Sequence, residues 1–108
     1  GETDGATTVD DPQLRELGAR LSKALRHIGN LDVDVFKSGD QIFVLELNPR
    51  FGGGYPFSHL AGANVPAAII AWLHDQIPQP EWLQIRYGVT GYKGLQMMQL
   101  GDLPDCRP

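Results

Sequence analysis

The fold of this chain is decided by residues 31–56, which read LDVDVFKSGDQIFVLELNPRFGGGYP. The first six residues alternate apolar and acidic side chains, a polar turn follows at residues 37–40, and residues 41–48 form a second, mostly apolar run. Two such runs around a short turn that contains glycine are typical of a β-hairpin. We therefore predict two antiparallel strands that end at a glycine-rich turn.

The length of the hairpin turn decides which side chains share a face. Side chains alternate along a strand, so a two-residue loop would send Glu46 to the face opposite the one a three-residue loop gives it. We favour a three-residue loop at residues 38–40, because it gathers the polar groups on one side. Asp32 then faces Glu46, with Asp34 as its diagonal neighbour. The other face would form the core against a helix and would comprise Val33, Val35, Phe43, Leu45 and Leu47.

A helix is predicted before the hairpin. Asp11 followed by Pro12 is a helix start, with Asp11 as the N-cap. Apolar side chains then recur at helical spacing as far as Ile28, and Gly29 supplies the predicted stop. This helix would cover the apolar face of the hairpin.

Further elements are predicted after the glycines. Residues 57–61 read as a short helical turn that Gly62 stops, and Pro66 opens a helix that ends before Pro78. Residues 85–90 and 95–100 are predicted as strands around a turn. The expected fold class is α+β, an antiparallel sheet with helices packed on one face.

Composition excludes several classes of protein. The chain has 108 residues, enough for one domain, and its net charge of -4 gives no basic surface for nucleic acid. No apolar run approaches the roughly 18 residues of a membrane span, and no signal-peptide pattern opens the sequence. The single cysteine, Cys106, cannot build a disulfide framework. We expect a cytoplasmic protein that binds neither nucleic acid nor membranes.

Polar side chains at alternate positions end the second strand. Glu46, Asn48 and Arg50 can share one surface if the extended run continues through Pro49, and Asp34 adds a carboxylate from the neighbouring strand. Oxygen ligands of this kind suit Mg²⁺ or Mn²⁺, and a guanidinium suits phosphate. An acidic strand face is often merely solvated, but this combination directly before a glycine-rich turn favours a site.

The same residues resemble a known family. Residues 46–50, Glu-Leu-Asn-Pro-Arg, resemble the Glu-x-Asn-x-Arg signature of the ATP-grasp ligases, and residues 33–36 resemble the preceding strand with its acidic metal ligand. Residues 50–58 and 62–64 are most similar to carbamoyl-phosphate-synthetase-like members. The resemblance covers roughly residues 1–76 and is strongest in residues 31–64.

The resemblance implies a division of roles in a ligase that uses ATP and Mg²⁺ (or Mn²⁺). Glu46 would bridge two ions on the ATP phosphates, Asp34 and Asn48 would each hold one, and Arg50 would contact the phosphates or the acyl-phosphate intermediate. Glu46, Asn48 and Arg50 would thus bind the nucleotide, and Arg50 would be catalytic. ATP would phosphorylate a carboxylate, and an amine or another nucleophile would then displace phosphate. The acceptor would lie near Gly52, Gly53, Gly54, Tyr55 and Ser58.

The resemblance also implies a missing partner. The nucleotide-gripping lysines and glycine-rich flap of the family have no counterpart here, because Lys23 and Lys37 do not lie in such a context. We expect residues 1–100 to be the C-terminal part of an ATP-grasp domain, with a tail at 101–108, and to be inactive without the N-terminal half. An open sheet edge would then favour a homo-oligomer.

Two alternatives remain open. The chain could be an ATP-grasp-derived binding or oligomerisation module without chemistry, or an unrelated hairpin-plus-helix domain whose acidic face binds calcium or nothing. The other conspicuous side chains favour structural interpretations. These are His27 and His74 near helix ends, His59 after the glycines, Trp72, Trp82, Met97, Met98 and Cys106.

Overall fold

The computed structural model describes residues 3–99 and residue 101, and within them it has the expected α+β class. Two small antiparallel sheets replace the single predicted sheet: one pairs the first strand with the last, and the other is the hairpin. No helix of the described residues is long and apolar enough to cross a membrane. The elements are β1 (Gly5–Thr7), α1 (Pro12–Leu25), β2 (Asp32–Ser38), β3 (Gln41–Asn48), α2 (Tyr55–Leu60), α3 (Val65–Leu73), a 3-10 helix (Pro80–Leu83) and β4 (Thr90–Tyr92).

The predicted three-residue hairpin loop is wrong. Ser38 pairs with Gln41, so the loop contains only Gly39 and Asp40. Gly39 has a φ of 59°, and a positive φ at the first of two loop residues fits a type II′ turn, for which glycine is favoured. Such a turn matches the right-handed twist of the strands, which explains why the shorter loop is formed.

A β-bulge in β3 returns Glu46 to the face of Asp34, whereas the two-residue loop alone would have sent it to the opposite face. Val35 pairs with Val44 but Asp34 pairs with Glu46, so Leu45 is an extra residue in β3. A bulge shifts the alternation by one position. Asp34 therefore lies directly opposite Glu46, and it is not the diagonal neighbour that the sequence predicted.

The two-residue loop and the bulge together make the predicted core face wrong in β3. Phe43 pairs with Phe36 and so lies on the face of Asp34, and Leu45 is 67% exposed. Val33 and Val35 are half-buried as predicted, whereas Leu47 opposite Val33 stays partly exposed. Along the apolar face, α1 and β2 border an open pocket of about 170 Å³ that is lined by Leu14, Leu17, Gly18, Leu21, Val33 and Val35.

The first helix begins as predicted but ends earlier. Asp11 is the N-cap, and its carboxylate accepts hydrogen bonds from the main-chain N–H groups of Gln13 and Leu14. The helix stops at Leu25 because Arg26 adopts a left-handed conformation with a φ of 49°. Ile28 therefore lies outside the helix and is fully exposed.

The buried core lies away from the hairpin, around α2 and α3. Phe57 is 5% exposed, and it packs with Leu60 against Gly91 of β4, where a Cβ atom would lie 2.8 Å from Leu60 Cδ2. Asn64 caps α3 by accepting from the N–H of Ala67. Small residues complete this core, namely Ala61, Ala63, Ala68 and Ala71.

The strands predicted near the end of the chain are wrong in position. The observed strand β4 covers Thr90–Tyr92, partly where a turn was predicted, and it pairs with β1. Thr8 supports this pairing, because its hydroxyl donates to the carbonyl of Arg86 and accepts from the N–H of Val89. Residues 95–99 form no strand, and Leu100, Cys106 and the predicted tail beyond residue 101 lie outside the described residues.

An ion pair ties the start of α1 to the hairpin and predicts a dependence on pH. Lys37 Nζ lies 2.6 Å from the Asp11 carboxylate. This hydrogen bond, with smaller contributions from the Gln13 and Leu14 N–H groups, holds the pKa of Asp11 below its ordinary value of 3.8. Because the pKa of Asp11 is lower in the folded protein than in the unfolded chain, the ionised carboxylate stabilises the fold at pH values above the unfolded pKa. This stabilisation is lost as the pH falls through the folded pKa.

We expect Asp11→Asn to lower the melting temperature slightly at pH 7 and to have no effect once the pH is below the folded pKa. Asparagine can also cap the helix, so the difference in melting temperature between Asp11→Asn and the wild type reports the loss of the charge alone. Melting curves of both proteins from pH 7 to pH 2 would measure it. Ser22→Ala, an exposed change on the same helix that involves no titratable group, should leave the difference in melting temperature from wild type independent of pH over this range.

Candidate functional site

Two neighbouring cross-strand pairs of the hairpin form a polar face, which we call the acidic face: Asp34 with Glu46, and Asp32 with Asn48. Directly opposed residues have Cβ atoms about 5 Å apart, and residues two apart on one strand share a face. Asp34 and Glu46 are exposed, whereas Asp32 and Asn48 are half-buried. The structure thus brings together the three predicted metal ligands and adds Asp32.

The acidic face has an apolar border. Phe36 and Phe43, the pair nearer the hairpin loop, lie on the same side of β2 and β3 and are 59% and 49% exposed. Within the described residues, neither Asp34 nor Glu46 takes part in an ion pair. The two carboxylates therefore face solvent without a counter-charge from this part of the chain.

Arg50 lies just beyond the end of β3, in a turn that is held at several points. Its N–H donates to the carbonyl of Asn48 at 2.8 Å, and its guanidinium Nη1 donates to the carbonyl of Phe51 at 2.9 Å. The side chain is exposed. A guanidinium has five N–H donors, so this contact leaves donors that can bind an anion.

The glycine-rich turn leads directly into α2. The N–H of Tyr55 donates to the carbonyl of Gly52, and Gly54 occupies the N-cap position with its backbone in the helical region. Gly52, Gly53 and Gly54 are half-buried. The predicted substrate-binding glycines therefore connect the acidic face to a short helix.

Tyr55 and His59 form a hydrogen-bonded pair on α2. The Tyr55 hydroxyl lies 2.9 Å from His59 Nδ1 and accepts from the N–H of Val65, the first residue of α3. The Tyr55 ring also packs edge-on against Phe51, with centroids 4.7 Å apart. Ser58 is half-buried on the same helix, and its carbonyl accepts from the N–H of Ala63. Tyr55 thus links the glycine-rich turn to the buried core.

Sequence reasoning missed two residues that contact the Arg50 turn. Asn30 donates through Nδ2 to the carbonyl of Arg50 at 3.1 Å. The Asp32 carboxylate occupies the space where a side chain at Gly52 would begin. In the sequence, Asn30 follows a glycine and is typical of a turn. Its hydrogen-bond partner lies 20 positions away, and a local sequence pattern cannot indicate so distant a contact.

The donor set fits a hard divalent cation in kind. Carboxylate and amide oxygens from adjacent positions are the ligands that Mg²⁺ and Mn²⁺ prefer. No group of three His, Cys, Asp or Glu residues in the described chain is arranged to hold a metal ion. The acidic face can thus supply two carboxylates and an amide, and other oxygens, such as those of phosphate, must complete the coordination.

The described lysines have other environments. Lys37 is bound to Asp11, and Lys93 Nζ lies 5.9 Å above the ring of Phe57. Lys23 is exposed in the last turn of α1. None of these three lysines therefore belongs to the acidic face.

Comparison with known proteins identifies the family. A family model described as "ATP-grasp in the biosynthetic pathway with Ter operon" matches residues 1–97, which include the hairpin, the glycine-rich turn and the helical core. No curated protein matches the chain. The match confirms the ATP-grasp resemblance and supports ATP binding and a ligase-like reaction, whereas the closer likeness to carbamoyl phosphate synthetases stays a prediction. The chain belongs to this ATP-grasp family.

Proposed function

We propose that this chain supplies the metal- and phosphate-binding side of an ATP-dependent carboxylate–amine, or carboxylate–nucleophile, ligase of the carbamoyl-phosphate-synthetase-like type. The observation that carries the proposal is the direct pairing of Asp34 with Glu46, with Asn48 on the same face and Arg50 following. In an ATP-grasp protein, this segment would offer oxygen ligands for cations and, directly after them in the chain, a guanidinium that would bind phosphate.

Each side chain would have a role that follows from its chemistry. Asp34 and Glu46 would hold Mg²⁺ or Mn²⁺, and Asn48 would add a neutral oxygen that limits charge repulsion. When bound, the cations would neutralise charge on the ATP phosphates. Arg50 would bind phosphate oxygens and stabilise the negative charge that develops during transfer. The acceptor would lie against Gly52, Gly53, Gly54, Tyr55 and Ser58.

The proposed reaction is the one that the resemblance to ATP-grasp ligases implies. The terminal phosphate of ATP would pass to a substrate carboxylate, an amine or another nucleophile would attack the acyl carbon, and phosphate would leave. We propose that a second segment supplies the lysines for the nucleotide, because Lys37 is already paired with Asp11. Residues 1–108 would then be inactive alone.

The binding role can be tested on this chain with Mn²⁺ as a paramagnetic probe. We expect Mn²⁺ to broaden the NMR signals of Asp34, Glu46 and Asn48 first, and calorimetry with MgATP to show weak binding or none. Glu46→Gln should remove the selective broadening, whereas Glu81→Gln, the same change on the 3-10 helix, should not. Broadening elsewhere would contradict the metal site, and micromolar MgATP binding would contradict the claim of half a site.

A second candidate is a binding or oligomerisation module without chemistry. Each observed sheet has two strands, so each strand has an unpaired edge within the described residues. The radius of gyration, 16.7 Å, also exceeds the value of about 13 Å expected for a compact chain of this length. Light scattering discriminates the edge-pairing model: a monomer at high concentration would count against it.

A further inference from the structure

The turn that carries Arg50 is contacted from the opposite side of the hairpin. Asn30, two residues before β2 begins, donates its Nδ2 hydrogen to the main-chain carbonyl of Arg50 at 3.1 Å. On its other side, the N–H of Arg50 donates to the carbonyl of Asn48. The backbone of Arg50 thus makes one hydrogen bond to the last residue of β3 and one to the segment that precedes β2.

The Asp32 carboxyl group lies against the same turn two residues later. A Cβ atom at Gly52 would overlap the carboxyl group of Asp32. The φ of Gly52 is not positive, so the glycine is required by space and not by backbone conformation. Gly54 differs, because nothing lies within 4 Å of the position that its Cβ would take.

We propose that Asn30 and Asp32 are positioning residues that hold the Arg50–Gly52 turn against the start of β2 and thereby fix the direction of the Arg50 guanidinium. A binding group that is already oriented loses less conformational freedom when its ligand arrives. The phosphate-binding role of Arg50 rests on the proposed function, whereas the restraint on the turn does not.

The restraint is tested first without any ligand, by a double-mutant cycle between positions 32 and 52. We expect Gly52→Ala to lower the melting temperature by roughly 5–15 °C, because the added methyl group overlaps the Asp32 carboxyl. Asp32→Ala combined with Gly52→Ala should recover at least half of that loss. Gly54→Ala is the matched control and should change the melting temperature by less than about 3 °C.

Two results would overturn the restraint. Gly52→Ala could prove as harmless as Gly54→Ala, or the double variant could show no recovery. If Gly52→Ala alone does not fold, folding of the double variant still decides the matter. Asn30→Ala provides a separate measurement: we expect the amide signals of Arg50 and Phe51 to shift while the core signal of Phe57 stays unchanged.

The effect on binding is tested by titrating residues 1–108 with ATP and Mg²⁺ at millimolar concentrations, where NMR detects binding that is too weak for calorimetry, and by following the Arg50 and Phe51 amide signals. We expect Asn30→Ala and Asp32→Ala to reduce the affinity about three- to tenfold, and Asp32→Asn, which keeps the shape, to reduce the affinity clearly less than Asp32→Ala does. Equal weakening by Asp32→Asn and Asp32→Ala would show that the charge binds the ligand, which contradicts a positioning role. If ATP leaves the wild-type signals unmoved, the phosphate-binding function fails, and the cycle between positions 32 and 52 still decides the restraint.

Discussion

Glu46→Gln should lower ATP-dependent phosphate release by about 100-fold or more in an enzyme that contains both sides of the ATP-grasp site. The substitution keeps the size of the side chain and removes the negative charge that faces Asp34 across the hairpin. A neutral amide is a weaker ligand for Mg²⁺ than a carboxylate, so the phosphates of ATP would lose part of their charge compensation. Phosphate release measured at saturating ATP, with and without the carboxylate substrate, gives the effect.

The matched control for this experiment is Glu81→Gln, which makes the same chemical change on the exposed surface of the 3-10 helix. Its turnover should stay within about twofold of wild type, because it lies outside the hairpin. Both variants should melt at nearly the wild-type temperature, since exposed substitutions usually cost little stability. Unchanged turnover in Glu46→Gln would rule out the catalytic interpretation of the acidic face.

Phe57→Ala is expected to have the largest effect on stability, about 3–5 kcal/mol of unfolding free energy. Among the described residues Phe57 is the largest buried apolar side chain, and most of the others are alanines. Its removal opens a cavity between α2 and β4, and small side chains around it cannot fill the space. Since a domain of this size has only about 5–15 kcal/mol in total, partial unfolding at room temperature is the expected result. Denaturant titration followed by circular dichroism measures the loss.

Phe36→Ala serves as the control for this prediction. It makes the same change at a position of the hairpin that is 59% exposed, so the loss should be less than about 1 kcal/mol. An equal cost for both substitutions would show that the hairpin, and not the α2–β4 packing, dominates the stability of the fold.

The sequence predicted those parts of the fold that depend on local signals. Asp11 before Pro12 begins α1, because a side-chain cap and a fixed φ act within one turn of the helix. The hairpin itself was predicted from its alternating side chains. The early end of α1 was missed, because Arg26 adopts a left-handed conformation that a non-glycine residue rarely takes.

The rest depends on partners that are distant in the sequence. Thr90–Tyr92 becomes a strand because it pairs with Gly5–Thr7, and a pairing across more than 80 residues leaves no trace in the local pattern. For the same reason, the proximity of Asn30 to Arg50 could not be predicted. At the candidate site, Asp34, Glu46 and Asn48 lie on one face as predicted, although the predicted register was wrong, because a bulge cannot be recognised from alternation alone.

The bulge at Leu45 has a consequence for how this hairpin can change in length. If Leu45 instead paired regularly with Asp34, the alternation from the loop would direct Glu46 and Asn48 to the face that carries Val33 and Val35. Deleting Leu45 would nevertheless leave Val44 opposite Val35 and Glu46 opposite Asp34, since neither pair includes the extra residue. Deletion of one residue anywhere from Glu46 to Asn48 would remove or displace a site oxygen. Position 45 is therefore a position in β3 at which a related sequence can have or lack the extra residue and still keep the acidic face.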